Sequence, residues 1–351
     1  MPCHSTRVID LADLQVADDA ADSGTFRLLN DYQRGFPLVP EPFAAIGEEC
    51  GLGEGEVLGA LQAWCASGVI SRVGPVFAPR RVGASALAAL SAPKGWLHVI
   101  AERVSEFAEV NHNYQREHAF DLWFVVTAAS AQRLQEVVAA IECDTGCQVV
   151  VLPLEEEFHI DLGFDLAGTP RVASSAVPVV PVPNEEAGCA LPGLERRLMH
   201  ALQGGLPLVA RPFEALGRTV ELGESMTIEL IERWLSDGIV KRFGVIVRHH
   251  ELGFRANAMC VWDVPDEEVG RIGRLLAAEP AVTLCYRRRR ALPDWRYNLF
   301  CMIHGRTREA VRATRDELAK SLDLDHWPHD VLFSTRRFKQ QGACYLREGD
   351  T

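Results

Sequence analysis

The chain has 351 residues, 48% of them apolar and 24% charged, and a formal net charge of -12 at neutral pH. That length holds two or three domains, and the balance describes a globular fold rather than an extended disordered one. The acidic excess opposes a polyphosphate partner, the longest apolar runs such as Ala84 to Leu90 are too short to span a membrane, and the polar N-terminus has no secretory pattern, so a cytoplasmic location is expected.

In chain order, residues 1–23 read as an acidic leader. Residues 24–78 read as a winged helix-turn-helix. A helix near Thr25 to Tyr32 precedes the turn Gly35-Phe36-Pro37-Leu38-Val39, and a second helix runs toward Cys50. A third, Glu54 to Ala66, carries Val57, Leu58, Leu61 and Trp64 at helical spacing and stops at Ser67-Gly68. Val69 to Phe77 alternates like a strand hairpin, the expected β-wing. Residues 79–165 then give strand, helix, strand pair, helix and strand (Gly83–Ala92, Trp96–Phe107, Val110–His118 with Ala119–Ala128, Ala131–Ile141, Cys147–Phe158), the βαββαβ order of a ferredoxin-like sandwich. Residues 166–193, rich in Pro, Ala, Val and Ser, read as a linker.

The chain then repeats itself. Gly35 returns as Gly205 within Gly205-Leu206-Pro207-Leu208-Val209, Trp64 as Trp234, Arg72 as Arg242 and Gly74 as Gly244, all 170 positions on. A second winged helix-turn-helix is expected over 194–248 and a second ferredoxin-like domain over 249–347. Two copies are too few for a solenoid, so the fold class expected is α+β, a tandem repeat of both modules closed into an intramolecular pseudo-dimer, with a further homo-oligomer allowed. Ten cysteines lack paired CxxC spacing, only Cys143 and Cys147 being close, and read as free thiols.

A winged helix joined to a ferredoxin-like domain resembles the leucine-responsive (Lrp/AsnC) regulators, which makes transcription control one reading. The charges oppose it. A recognition helix needs cations or amides toward bases and phosphates. Here the third helix carries Glu54 and Glu56, and its counterpart carries Glu224, Glu229, Glu232 and Asp237 against a lone Arg233.

The densest chemistry lies in Val110 to His118. On a strand, His112, Tyr114, Arg116 and His118 would share one face, a convergence that a core position does not explain. No Cys or carboxylate pair accompanies them, so no metal site belonging to the protein is expected. In the second copy, Tyr286 and Arg288 keep the places of Tyr114 and Arg116, whereas Leu284 and Arg290 replace the two histidines. The first copy thus suggests proton exchange and the second, with Arg287, Arg288 and Arg290 beside Trp295, anion binding.

His112-Asn113-Tyr114-Gln115-Arg116-Glu117-His118 with Asp121-Leu122-Trp123-Phe124 resembles the signature of one siroheme decarboxylase subunit type. Cys285-Tyr286-Arg287-Arg288 with Pro293-Asp294-Trp295-Arg296-Tyr297-Asn298-Leu299-Phe300 resembles that of its partner. Residues 25–165 and 195–345 look like the two subunits fused. Asp121 stands where that family more often has Asn, and Glu41 where the second copy has the commoner Arg211.

The resemblance implies removal of the C12 and C18 acetate carboxylates of siroheme, giving 12,18-didecarboxysiroheme, with no added cofactor because the iron belongs to the substrate. It casts His112 and His118 as proton donors, either being the candidate contact to that iron, Arg116 as a carboxylate binder and Tyr114 as an orienting group or secondary donor. Arg72, Trp123, Arg242, Tyr286, Arg287, Arg288, Arg290 and Trp295 become substrate-binding candidates. Siroheme is then the partner, with neither specific DNA nor a membrane. A transcription regulator and a non-catalytic haem-binding sensor are the rivals; carbon dioxide release from siroheme separates the enzyme from both.

Overall fold

The computed structural model describes residues 23–160, 193–247 and 256–346. The expected leader and linker lie outside these residues, apart from the last position of each. The first copy runs α1 (Gly24–Asp31), α2 (Pro42–Cys50), α3 (Glu54–Ser67), β1 (Ile70–Phe77), α4 (Pro79–Val82), β2 (Ala84–Leu90), α5 (Leu97–Glu106), β3 (Val110–Arg116), β4 (Leu122–Ala128), α6 (Ala131–Thr145) and β5 (Val149–Ile160). The second runs α7 (Gly193–Gln203), α8 (Pro212–Arg218), α9 (Glu224–Ser236), β6 (Val240–Val247), β7 (Ala256–Trp262), α10 (Val269–Ala278), β8 (Val282–Arg288), β9 (Leu299–Gly305), α11 (Arg308–Ser321) and β10 (His329–Gln340). The chain separates into a helix-turn-helix unit and a β-barrel unit, each built from both copies.

In the helix-turn-helix unit, Ser23 caps α1 by accepting the Phe26 amide at 3.2 Å, and Gly51 and Gly68, both left-handed, end α2 and α3. Leu28, Leu29, Phe43, Ile46, Val57, Leu61 and Trp64 are buried. The expected β-wing hairpin does not form. Residues Ile70–Phe77 are one uninterrupted strand, paired antiparallel with β6 of the other copy, Gly74 opposite Gly244. No tight turn breaks the segment, so its hydrogen bonds find the repeated strand instead. The repeated Gly-Φ-Pro turns bind the same ribbon, the Leu206 amide donating to the Val73 carbonyl at 2.7 Å. A Cβ on Gly244 would lie 2.4 Å from the Tyr32 carbonyl oxygen, which explains the glycine there.

In the other unit each copy forms a four-stranded sheet, β3-β4-β2-β5 and β8-β9-β7-β10, covered by α5 and α6 or by α10 and α11. The sheets are not separate sandwiches. Beyond Leu154, β5 leaves its own sheet to pair with β8, and beyond Ser334, β10 pairs with β3. These exchanges close an eight-stranded barrel, β10-β3-β4-β2-β5-β8-β9-β7, that leaves no exposed edge. Its interior has an apolar core of Leu87, Ala89, Trp123, Val150, Leu152, Met259, Val261, Trp295, Phe300 and Leu332.

Candidate active site

Strand alternation decides which side chains enter the barrel. On β3, Asn113 turns outward, its amide donating to the Ala101 carbonyl of α5 at 2.9 Å, so His112, Tyr114 and Arg116 face inward. The same parity turns Leu284, Tyr286 and Arg288 inward on β8, where outward Cys285 sits in the opposite core. The two faces are related by the repeat: Tyr114 lies opposite Trp123 in the β3–β4 pair, and Tyr286 opposite Phe300 in the β8–β9 pair.

Arg116 is 7% exposed and Arg288 9%. Each guanidinium donates to a carbonyl of an exchanged strand, Arg116 to Leu332 at 2.9 Å and Arg288 to Leu152 at 3.0 Å. Among the described residues neither has a carboxylate partner, and the Arg116 Nε is buried without an acceptor. Burial pushes both guanidinium groups down to about 10, still charged at neutral pH. Tyr114 lies beneath Arg116 and Tyr286 beneath Arg288, with 5.9 and 5.2 Å from guanidinium carbon to ring centre. A buried cation without a counter-ion is costly, and a carboxylate from a ligand would offset that cost.

The surroundings of the two arginines differ. His112 stacks on Tyr114 at 6.3 Å, whereas Leu284 stands in the corresponding place. Tyr286 lies near Glu157 and near Tyr345 of the C-terminal segment, and burial raises the pKa of both phenols, with Glu157 acting in the same direction. No sequence signal pointed to Tyr345, because its segment has neither periodicity nor motif.

His118 is not on the shared strand face. β3 ends at Arg116, and His118 lies in the following turn, where its Nδ1 accepts the Phe120 amide at 2.9 Å and Nε2 stands 3.7 Å from Asp330. An amide donated into Nδ1 leaves the neutral ring with its hydrogen on Nε2. Burial lowers the pKa of His118 against the opposing pull of Asp330. The neutral ring therefore turns its Nε2 hydrogen toward Asp330 without reaching hydrogen-bonding distance, and the proton-donor role requires Nδ1 to give up the Phe120 amide.

Trp295 sits in the β8–β9 loop, which folds back through paired hydrogen bonds between Ala291 and Trp295. The loop drives the indole among Trp123 (4.8 Å), Tyr297 (5.0 Å), His118 (5.4 Å) and Phe300 (6.1 Å). Its Nε1 is buried without an acceptor. Trp123 and Trp295 thus come together.

Arg290 and Arg287 do not join Arg288. Arg290 is held by Asp263 and Asp266, each at 2.8 Å, and by the Val264 carbonyl; Arg287 pairs with Glu155 at 3.0 Å and Asp266 at 3.2 Å. The strand ends at Arg288, so the alternation that placed Arg290 beside it no longer applies. Arg72 and Arg242 belong to the helix-turn-helix unit, where they donate to the carbonyls of Pro75 and Gln33. Among the described residues, no group of three His, Cys, Asp or Glu side chains is placed to hold a metal ion, and no helix is long and apolar enough to cross a membrane.

Residues 81–159 and 251–339 match the AsnC-like ligand binding domain, and residues 26–70 and 195–240 match the siroheme decarboxylase NirDL-like HTH domain. The siroheme decarboxylase NirDL subunit of Paracoccus denitrificans (strain Pd 1222) is 42% identical over 322 residues, covering 92% of this chain and 97% of its own. The siroheme decarboxylase of Hydrogenobacter thermophilus (strain DSM 6534 / IAM 12695 / TK-6) is 30% identical over 328 residues, covering 92% and 95%. A crystal structure of the siroheme decarboxylase NirDL in co-complex with an iron-uroporphyrin III analogue aligns with a TM-score of 0.65 at 27% identity, over 93% of this chain and 95% of that one.

Proposed function

The chain belongs to the siroheme decarboxylase family, a family of carboxy-lyases, and from that premise we propose that the barrel interior takes siroheme and removes the carboxylates of its C12 and C18 acetate side chains. The product is 12,18-didecarboxysiroheme, a precursor for haem d1 or an alternative route to haem. The observation that carries this reading is the pair of buried arginines, repeat-related and without a carboxylate partner among the described residues.

An acetate on a conjugated macrocycle loses carbon dioxide when the bonding electron pair can flow into the ring. A proton must reach the ring to open that sink, another must reach the exocyclic carbon that becomes a methyl group, and the first must then leave the ring, so that one proton is consumed for each carboxylate lost. Arg116 and Arg288 hold carboxylates and fix the side chains relative to the ring. His112, stacked on Tyr114, is a proton donor on the Arg116 side, and Tyr114 orients the carboxylate. Trp123 and Trp295 offer aromatic surface to the flat macrocycle. The reaction needs no cofactor beyond the iron tetrapyrrole, which arrives as substrate.

The test is anaerobic incubation of the purified chain with siroheme, following carbon dioxide release and counting carboxylates lost by mass spectrometry. Loss of two carboxylates is expected. Binding of siroheme with no release would leave the sensor reading in its place.

A further inference from the structure

The two halves of the barrel diverge on the inner face around Arg116. Four successive strands, β3, β10, β7 and β9, carry Arg116, Ser334, Asn257 and His304 in one row. Arg116 is the register partner of Ser334, the Ser334 hydroxyl donates to Asn257 Oδ1 at 3.3 Å, and Asn257 is the register partner of His304. Strand parity puts the last three on the side of Leu332, Met259 and Phe300, inside the barrel. The repeat-related row is Arg288, Leu154, Ser85 and Thr127. Where one half has an imidazole the other has a threonine, whose hydroxyl donates to the Cys344 carbonyl at 3.2 Å.

The hydrogen bonds around His304 define its tautomer. Thr283 Oγ1 lies 3.1 Å from the Met302 carbonyl and 3.0 Å from His304 Nδ1. A carbonyl can only accept, so the hydroxyl hydrogen points to Met302, and Oγ1 accepts from Nδ1–H. The lone pair is then on Nε2, and the ring can gain a proton without breaking this relay. His118 lacks that property, because its Nδ1 already accepts an amide. An irregularity in β8 between Val282 and Leu284 turns Thr283 toward His304, a use of a bulge frequent beside active sites.

The geometry points to His304, supplied by the second copy, as the group that protonates the carbon left behind when a carboxylate held by Arg116 departs, with Thr283 as its positioning residue. This rests on the decarboxylase reading above. Among the described residues, Arg116 from β3 faces His304 with its charge, whereas Asn257 on β7 and Thr283 on β8 do not titrate. With no substrate, burial and then Arg116 hold the imidazole down to about 4, so it is neutral. A substrate carboxylate on Arg116 cancels that repulsion and favours the imidazolium, so binding loads the acid. The bond between carboxylate carbon and methylene then breaks, carbon dioxide leaves, the electron pair is taken up by the protonated ring, and loss of the ring proton returns a pair to the methylene carbon. His304 Nε2 donates the proton that makes it a methyl group, and water restores that proton. The net change is R–CH2–COO⁻ + H⁺ → R–CH3 + CO2.

The full chain carrying His304→Gln, His304→Asn, Thr283→Val or Thr283→Ser, each checked by melting temperature, is incubated anaerobically with siroheme, and affinity is titrated by absorbance. The expected result is unchanged affinity with the loss of at least one carboxylate slowed on the order of 10²- to 10⁴-fold in both His304 variants. Thr283→Val should slow the same step less and shift its pH profile, and Thr283→Ser should restore both. Wild-type rates for both carboxylates in either folded His304 variant would overturn the proposal, as would a slowing matched by an equal loss of affinity. If wild-type protein leaves siroheme intact, the decarboxylase reading fails; if it reacts and a His304 variant keeps pace, only this inference does.

Discussion

Arg116 and Arg288 bring full charges into an interior where each donates to a backbone carbonyl and lies against aromatic rings. Removing either should weaken siroheme binding by about 2–5 kcal/mol, the usual cost when a buried carboxylate loses its partner. Lysine should restore only part, because an ammonium lacks the two-pronged geometry. Arg289, exposed and paired with Glu155 at 3.3 Å, should be silent in the same absorbance titration. Arg290→Ala should act differently, lowering the melting temperature by freeing Asp263 and Asp266 while leaving affinity near normal. A binding defect there equal to that of Arg288→Ala would contradict this assignment. His304 also links stability to pH. Its pKa lies below the ordinary 6.5, so the unfolded chain takes up the proton first as pH falls. The stability contributed by its neutral ring is complete above about 6.5 and lost progressively toward about 4. His304→Gln, which cannot titrate, should lose up to about 3 kcal/mol less across that window in denaturant melts. The inward trio of His112, Tyr114 and Arg116 was legible in sequence because a strand alternates. His304, Asn257 and Ser334 were not: each borders an apolar run that reads as core, and only barrel closure brings them to one face.

At the scale of elements, helix periodicity and glycine stops located the helices within a few residues, whereas partner choice for the strands was hidden. Val69 to Phe77 has the alternation of a hairpin, yet its partner is 170 residues away, and nothing local distinguishes the two pairings. The pairing has a sharp steric requirement. Gly244→Ala would place a methyl group 2.4 Å from the Tyr32 oxygen and 2.6 Å from that of Gln33, both backbone atoms that cannot yield cheaply. It should destabilise the helix-turn-helix unit by about 1–3 kcal/mol, read as a lower melting temperature. The same unit presents acid where a DNA reader needs base. Glu56 at the start of α3 accepts its own helix's Gly53 amide, and Glu224 at the start of α9 pairs with Arg211. No sequence-selective duplex complex tighter than about micromolar is expected in mobility-shift assays at physiological salt.

For the whole molecule, the exchanged strands decide which halves can combine. The β5 extension is acidic, Glu155, Glu156 and Glu157, and runs beside the basic β8, with Glu155 bound to Arg287 and Arg289 and Glu156 near Arg274 at 3.8 Å. The β10 extension is basic, and Lys339 donates to the carbonyls of Ser105 and Phe107 at 2.7 and 2.9 Å, capping the C-terminal end of α5. Two second halves paired with each other would set Arg336 against Arg287, the position equivalent to its present neighbour Gln115. Two first halves would lay Glu156 and Glu157 against Gln115 and Tyr114, and would give Glu155 the uncharged Gln115 and the acidic Glu117 in place of Arg287 and Arg289. Like charges directly opposite on adjacent strands oppose pairing, so the charge pattern favours the mixed barrel. If the chain is divided between residues 161 and 192 and both parts are expressed together with one tagged, the parts should purify in a 1:1 ratio. Glu155→Arg should weaken that association roughly tenfold or more, about 1.4 kcal/mol, by turning two attractions into repulsions. Equal recovery of like-with-like pairs, or indifference to Glu155→Arg, would show that shape alone selects the partner.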